Sequence, residues 1–412
     1  MNGDKGSLQV NVYAQNIGIP VENARVTVTD RDSLRIIEEF RTDSSGQTAE
    51  LSLPAPPAEY SLEPSNNKPY SEYNVFVEAD NLEKAAFYGV QIFSGTQAVT
   101  NVGLQYITDN DSPSMRSVLI PEPVLWGAYP AKIPESEVKE LPPPGGFVVL
   151  PEPVIPEYVI VHLGTPSSNA ENVWIPFKDY IKNVACSEIY STWPSETIKA
   201  NVTAIVSFTL NRVYTEWYRG KGYDFTITNT TAYDQAFSYG RNIFREISVI
   251  VDDLFSTYLT KPDIVQPLLT QYCDGKKILC EKGLKQWGSK ELGDRGYSAY
   301  EILKYYYGYD VYYESAKKVE GVPVSFGGEL LTYGSSGNEV RTVQEQLNTI
   351  SDTYSSIPKL PVTGFYGEQT QNAVKIFQRI FGLPETGNVG FSTWYRISDI
   401  FVSIKKLSEL DI

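Results

Sequence analysis

The sequence predicts a multidomain α+β protein with an N-terminal β-sandwich, a central mixed α/β domain and a C-terminal helical module. Three observations carry this. Residues 1–106 hold six or seven short runs in which β-branched and aromatic residues alternate or cluster. Eleven of the 26 prolines then fall between Pro113 and Pro156. Beyond that belt, apolar residues recur near the helical period, punctuated by glycine. At 412 residues, 42% hydrophobic and 21% charged, the chain has room for two to four cores and is not a disordered tail.

The β-rich runs are LQVNVYA, ARVTVTD, QTAELSL, YNVFVEA, YGVQIFS and AVTNVGLQY, with turn signals IGIPVENA and DSSGQ between them. Short strands at this spacing predict a small sandwich over residues 1–107. A strand, a loop carrying Pro20, a second strand and a TDSSGQ turn resemble a transthyretin-like or carboxypeptidase-regulatory domain. That resemblance implies a fold and no catalytic residue.

Residues 108–157 read as an extended linker, because proline cannot donate ladder or helix hydrogen bonds. Pro142, Pro143 and Pro144 precede Gly145 and Gly146, and PEPV occurs at 121–124 and again at 151–154. Flexible glycines ahead of an apolar run suit a protease, which binds extended backbone. Cleavage is therefore expected at Gly146, Phe147, Val148 or Val149, before Leu150. Residues 1–148 carry 10 basic and 20 acidic side chains, so most of the net charge of −15 lies ahead of the cut.

Residues 158–320 form the central domain. A strand, YVIVHLG, leads to a helix from about Pro176 to Ile189, with Phe177, Ile181, Val184 and Glu188 on one face. A second helix opens at Pro194 and runs to about Tyr218; Ile198, Val202, Ile205, Val206, Thr209 and Val213 keep its period. A third, SAYEILKYYYG, stops at Gly308.

Composition excludes several chemistries. The acidic balance argues against nucleic acid as a partner. No run of eighteen apolar residues predicts a membrane span, and MNGDKGSLQV lacks the layout of a signal peptide. His162 is the single histidine and sits in an apolar strand, so zinc hydrolysis and imidazole triads are not expected. No cofactor and no metal are implied. Cys186 reads as a buried thiol; Cys273 and Cys280, seven apart, read either as a disulfide or as two free thiols.

Residues 325–405 have their own punctuation. Leu331, Gly334, Gly337, Val340, Val343, Gln344 and Leu347 are followed by Gly364, Tyr366, Gly367, Thr370, Ala373, Val374, Phe377 and Gln378, then by Gly382, Gly387, Gly390 and Trp394. Each half pairs a glycine turn with a short amphipathic helix, VRTVQEQL and TQNAVKIF. With FYGEQTQNAVKIFQRIFGL, the pattern resembles the type 1 peptidoglycan-binding domain, which implies a three-helix fold. Gln344, Tyr366, Gln378 and Trp394 are the candidate contacts to glycan or stem peptide; Trp394 reads equally as a core anchor.

The central domain resembles the stage II sporulation protein D family of lytic transglycosylases. A short helix, a turn and a long helix match DYIKNVACSEIYSTWPSETIKANVTAIVSFTLNR, and the closing Gly-x-Ser and Tyr-x-Glu-Ile-Leu pattern matches WGSKELGDRGYSAYEILKYYYG. NTTAYDQAF resembles the family's Thr-rich segment. Two features depart: the long helix lacks the usual Arg before Leu210, and Lys285 and Gln286 replace a His-Gly pair. The resemblance implies a catalytic domain with a lysozyme-like helical core, with Glu188 as its catalytic glutamate. Independently, Glu188 lies on the apolar face of its helix near the C-terminal end, where burial and the helix dipole both raise a carboxyl pKa. The alternative is a helix-end glutamate paired with Lys182 or Lys199. Tyr233, Asp234, Gln235 and Tyr272 are candidate groove residues. A hydrolase would need a second carboxylate about 5–9.5 Å away, and Asp224, Asp234 or Asp274 is available for that.

Taken together, the order of domains resembles the spore cortex-lytic enzymes of the SleC type. This implies a zymogen cut by a subtilisin-like germination protease, acting on cortex peptidoglycan that carries muramic-δ-lactam. Location in the spore cortex and outer layers, after synthesis in the mother cell without a signal peptide, follows from the same resemblance. The rival readings are a non-catalytic wall-binding protein and a hydrolytic muramidase.

Overall fold

A computed structural model describes residues 4–14, 18–107, 115–140 and 152–410, with the side chains of 407–410 excepted. The expected cleavage residues Gly146, Phe147, Val148 and Val149 lie outside the described residues. The chain is multidomain, with β-sheets in the N-terminal region and, among the described residues, eight α-helices.

Alternating burial builds the first domain. Strands β1 (Lys5–Ala14), β2 (Ile19–Pro20), β3 (Arg25–Asp30), β4 (Ile36–Arg41), β5 (Leu51–Pro54), β6 (Ser71–Glu78), β7 (Lys84–Ile92) and β8 (Gln97–Leu104) fall into two sheets. One sheet centres on β1, parallel to β8 and antiparallel to β2 and β5. The other runs β4-β3-β6-β7 and closes with β9 (Met115–Leu119), parallel to β7. Val10, Val12, Val26, Val75, Val77 and Val102 are all buried in the core.

The expected linker differs from its reading at both ends. β9 belongs to the second sheet, and β10 (Val154–Ile155) pairs with β19 (Lys318–Val319). Between them, residues 120–140 lie along the central domain. Four of its backbone N–H groups, those of Val124, Ile133, Glu135 and Lys139, donate to that domain.

The central domain begins with β11 (Tyr158–His162) and β12 (Asn172–Pro176). Helix α1 (Phe177–Glu188) follows, then α2 (Ser195–Tyr214), each entered through an extended proline, Pro176 and Pro194. Neither helix is amphipathic in the structure. Both are buried nearly all round, and the polar residues of α2 bond partly along the helix itself and partly to neighbouring elements, as Ser207 does to the Leu268 carbonyl and Arg212 to Asp234. Asn201 donates to the Thr197 carbonyl at 2.9 Å, and Thr209 to that of Ile205 at 2.8 Å.

Strands β13 (Ile227–Thr228) and β14 (Ile243–Phe244) precede α3 (Arg245–Leu254) and β15 (Thr257–Thr260). β14 leaves its own domain and pairs with β8, Ile243 opposite Val99, so the N-terminal and central domains share a sheet. Then come β16 (Tyr272–Cys273), β17 (Leu284–Lys285), α4 (Gln286–Asp294), α5 (Ala299–Tyr307) and β18 (Tyr312–Ser315). Ser298 and Glu301 form a capping box that starts α5, and Gly308 at φ 107° ends it. The C-terminal module holds α6 (Asn338–Thr353), α7 (Glu368–Ile380) and α8 (Phe391–Leu410). No helix among the described residues is long and apolar enough to cross a membrane.

Candidate functional site

Glu188 is the last residue of α1 and is 2% exposed. Its position follows from the helix stopping there, since Ile189 turns to extended backbone. The carboxylate is met by three separate elements. Oε1 accepts the Ala236 N–H at 2.9 Å and the Tyr272 hydroxyl at 3.2 Å, and Oε2 accepts the Gln286 amide at 3.2 Å. Burial pushes the carboxyl above its ordinary range, against the opposing pull of the Lys132 ammonium and these three hydrogen bonds. Lys182 and Lys199 do not pair with it; they bind Asp252 and Glu196. A buried acid with a raised pKa keeps its proton to higher pH than an exposed carboxyl and can deliver it to a leaving oxygen.

Lys132 comes from the strap. Its ammonium donates to the Thr231 carbonyl at 3.1 Å and to the Asp234 carbonyl, beside the rings of Tyr272 and Phe208. Burial lowers its pKa, while Glu188 and Asp234 pull it back up. Val124, Tyr129, Pro130 and Lys132 roof the space over Glu188 and leave about 20 Å³. That holds one water and no sugar ring.

The other candidate groove residues divide. Tyr272 touches Glu188 directly. Gln235 is fully buried and braces the core: it accepts from Tyr180 at 3.1 Å and Thr209 at 2.9 Å, and donates to the Ile205 carbonyl at 3.2 Å. Tyr233 is half-buried, and its carbonyl accepts from Arg212 at 3.1 Å.

Asp234 is fully buried, with Oδ1 on Arg212 at 2.7 Å and Oδ2 on Tyr218, the Thr228 hydroxyl and the Thr228 N–H. Asp274 accepts the backbone N–H groups of Lys276 and Ile278 at 2.8 Å, inside a loop closed by the Cys273–Cys280 disulfide. Asp224 is exposed and holds Asn172 at 2.9 Å. His162 is a buried strand residue bonded to Asn172 and Ser168 and stacked on Phe225. Cys186 is free and buried, its thiol pushed up to about 12 by burial.

Sequence reasoning missed Lys132, the Ala236 N–H and the part Gln286 plays. The available signal was thin: Lys132 and Lys139 are the only lysines in the proline belt.

In the C-terminal module, Gln344 and Gln378 act alike. Gln344 accepts the N–H groups of Thr363 and Gly364 and donates to the Phe365 carbonyl. Gln378 accepts from Gly387 at 2.8 Å and donates to the Asn388 carbonyl at 2.9 Å. Each amide pins one glycine turn, and Gly364 and Gly387 both need positive φ, 74° and 70°. Tyr366 is buried and donates to the Gly387 carbonyl at 2.9 Å; Trp394 is buried and donates to that of Val324 at 3.0 Å. All four candidate contacts are therefore internal. The two amide-pinned glycine turns connect the three helices of this part. Residues 336–397 match the peptidoglycan binding domain family.

The match supports a cell-wall-associated protein with a wall-related function and peptidoglycan as a ligand. In this peptidoglycan-binding module the exposed apolar groups are Leu330, Tyr333, Val362 and Phe365. Tyr333 and Phe365 lie on paired segments, since Ser336 bridges Phe365 and the Tyr366 carbonyl accepts the Gly334 N–H.

No curated protein matches the chain. Solved structures with some similarity include the TIE protein of Bacillus anthracis, at 15% identity over 25% of this chain and 17% of that one, TM-score 0.19. The minor pilin GBS52 of Streptococcus agalactiae aligns at 12% identity over 27% and 49%, TM-score 0.19. Catechol 1,2-dioxygenase of Acinetobacter sp. ADP1 aligns at 16% over 29% and 59%, TM-score 0.19. This chain spans less than two thirds of each of them.

Proposed function

We propose that the chain is the zymogen of a lytic transglycosylase that degrades spore cortex peptidoglycan after its N-terminal part is removed. The observation that carries this reading is Glu188: a buried carboxyl, raised in pKa, bonded by Tyr272, Gln286 and the Ala236 N–H, in a chain that also carries a peptidoglycan-binding module.

One such group is enough for the reaction. Protonated Glu188 gives its proton to the glycosidic oxygen between MurNAc and GlcNAc as the C1–O bond breaks. The carboxylate then takes the proton of the MurNAc C6 hydroxyl, whose oxygen bonds to C1 and closes a 1,6-anhydro ring without water. The three candidate second carboxylates support this over hydrolysis: Asp234 and Asp274 are spent on internal bonds, and Asp224 holds Asn172 on the β11–β12 hairpin. The enclosed Glu188 fits an inactive precursor, with cleavage expected between Gly146 and Leu150 by a subtilisin-like germination protease.

The test is product analysis. Processed protein incubated with cortex fragments should release muropeptides ending in anhydro-MurNAc. Reducing ends would make it a muramidase, and unchanged glycan would make it a wall-binding protein.

A further inference from the structure

The strap and the floor beneath it are matched amide to amide. Gln266 accepts the Lys139 N–H and donates to the Lys139 carbonyl, both at 2.9 Å. Gln271 accepts the Glu135 N–H at 2.9 Å and donates to the Ile133 carbonyl at 2.7 Å. Towards Glu188, the Ile133 N–H donates to the Ala232 carbonyl at 2.7 Å, and beyond it the Val124 N–H donates to that of Ser187 at 2.8 Å. Gln266 and Gln271 thus hold the strap by paired amides, and Tyr272, next in the chain to Gln271, donates to the Glu188 carboxyl. A carboxamide that binds both the N–H and the C=O of one chain recognises secondary amides. Peptide backbone has them, and so do the N-acetyl groups of an amino-sugar strand.

The strap is anchored through contacts that do not involve the expected cleavage residues. It begins at Pro121, whose carbonyl accepts Arg241, and Arg241 also binds Gln91 of β7 at 2.8 Å. Asn242 and Gln91 exchange two more hydrogen bonds. Phe93 packs on Tyr190 and Phe244 at 5.1 and 5.2 Å, and Trp193 donates to the Ser61 carbonyl at 2.9 Å. With the β8–β14 pairing, these contacts fasten the N-terminal domain and the strap to the central domain as one piece. Each of them joins a residue N-terminal to a cut at 146–150 with one C-terminal to it.

Resting on the reading of Glu188 as a glycan-cleaving acid, we propose that residues 121–140 fill its groove as an internal stand-in for an N-acetylated glycan strand. The groove opens when the strap departs with the N-terminal domain, and scission of the belt alone leaves it closed. Gln266 and Gln271 are then positions that bind the N-acetyl amides of the strand.

Carboxyl labelling tests this without relying on activity. Full-length protein carrying a site-specific protease sequence at residues 145–146 is treated with a water-soluble carbodiimide and glycine ethyl ester, and Glu188 is read by peptide mass spectrometry. Intact protein and protein cut but not fractionated should label Glu188 within twofold of each other, at a low level. The strap variant Val124→Arg with Glu135→Ala should label it at least about tenfold more, while Asp252, held by Lys182 at 2.8 Å, stays unlabelled as a check on the fold. Ready labelling of Glu188 in the intact chain, or its appearance on cutting alone, would overturn the proposal, and the cut-chain comparison decides this whether or not the variant folds. Glycan release measured on the same samples separates the two readings. If Glu188 is labelled in the variant but no glycan is released, the strap assignment stands and the transglycosylase reading falls.

Discussion

Gln286 donates its amide to both the backbone carbonyl and Oε2 of Glu188, at 3.2 Å each, while its own side-chain oxygen is buried with no partner among the described residues. If that amide turns over, the free oxygen faces the carboxyl and can accept a proton held on Oε2. The pair therefore accommodates Glu188 in either state, as an acid and later a base must be accommodated.

The first prediction is kinetic. Glu188→Gln keeps size and most hydrogen bonds but can neither donate nor accept the transferred proton. Loss of general acid–base help costs about 10²–10⁴ in rate, and one residue serves both steps of the proposed reaction, so the upper end is expected. The processed variant should still sediment with peptidoglycan. Activity within a few-fold of wild type would remove Glu188 from the mechanism.

The same substitution has a pH signature in stability. The folded protein holds Glu188 above its ordinary pKa, mainly through burial. Below the unfolded value, both states bind the proton and the group carries no penalty. As pH rises through the folded value, the native state loses that relative stability, because the unfolded chain ionises more readily. Glutamine does not titrate. Thermal melts of Glu188→Gln should therefore lie above wild type at pH 7, with the gap closing towards pH 4. A gap that widens in acid would contradict the assignment of the shift to burial.

Both ends of α1 and α5 and the start of α2 were legible because Pro176, Pro194, Ser298 and Gly308 are local signals, and so was the burial of Glu188 at a helix end; α2 stops at Tyr214, short of the expected Tyr218. The strap was not. Proline content announced an extended segment, but its partners Gln266 and Gln271 lie over 120 residues away, and no local pattern reports such a pairing. The two-residue strand Ile243–Phe244 was illegible for the same reason. Gln344 and Gln378 misled in the opposite direction, since a polar residue beside glycines in an amphipathic helix reads as a binding group until the turn it pins is seen.

That reversal gives a third prediction, for the peptidoglycan-binding module. Gln378→Ala strands the Gly387 N–H and the Asn388 carbonyl, at about 1–3 kcal/mol for each buried group left unpaired, so the module should melt earlier. Tyr333→Ala and Phe365→Ala remove exposed rings and should leave melting unchanged while reducing the fraction that pellets with peptidoglycan. Equal loss of pelleting without loss of stability in Gln378→Ala would return it to the binding surface.

Asp234 supplies the fourth. Its two oxygens are filled by Arg212, Tyr218 and Thr228, and Arg212 also reaches Glu135 of the strap. Asp234→Ala leaves a buried guanidinium with one partner fewer, and breaking a buried pair costs about 3–5 kcal/mol. Activity of the processed variant, measured well below its melting temperature, should stay within a few-fold of wild type. A loss of a hundredfold or more with the fold intact would make Asp234 a second catalytic carboxylate.

The last prediction concerns the Cys273–Cys280 disulfide, which follows directly on Tyr272. Closing so short a loop restricts the unfolded chain, a contribution of about 2.5 kcal/mol on the chain-entropy account. The folded loop has a second fastening, because Asp274 accepts the backbone N–H groups of Lys276, Lys277 and Ile278. Cys273→Ser with Cys280→Ser should therefore lower the unfolding midpoint in denaturant while leaving Tyr272 on Glu188, with activity of the processed form down by less than about tenfold. Asp274→Ala added to that background removes the second fastening, frees the segment that carries Tyr272, and should take activity down much further at a temperature where the protein is still folded. If the serine pair alone abolishes activity without unfolding, the disulfide holds Tyr272 in place by itself, and the Asp274 bonds only shape the loop beyond it.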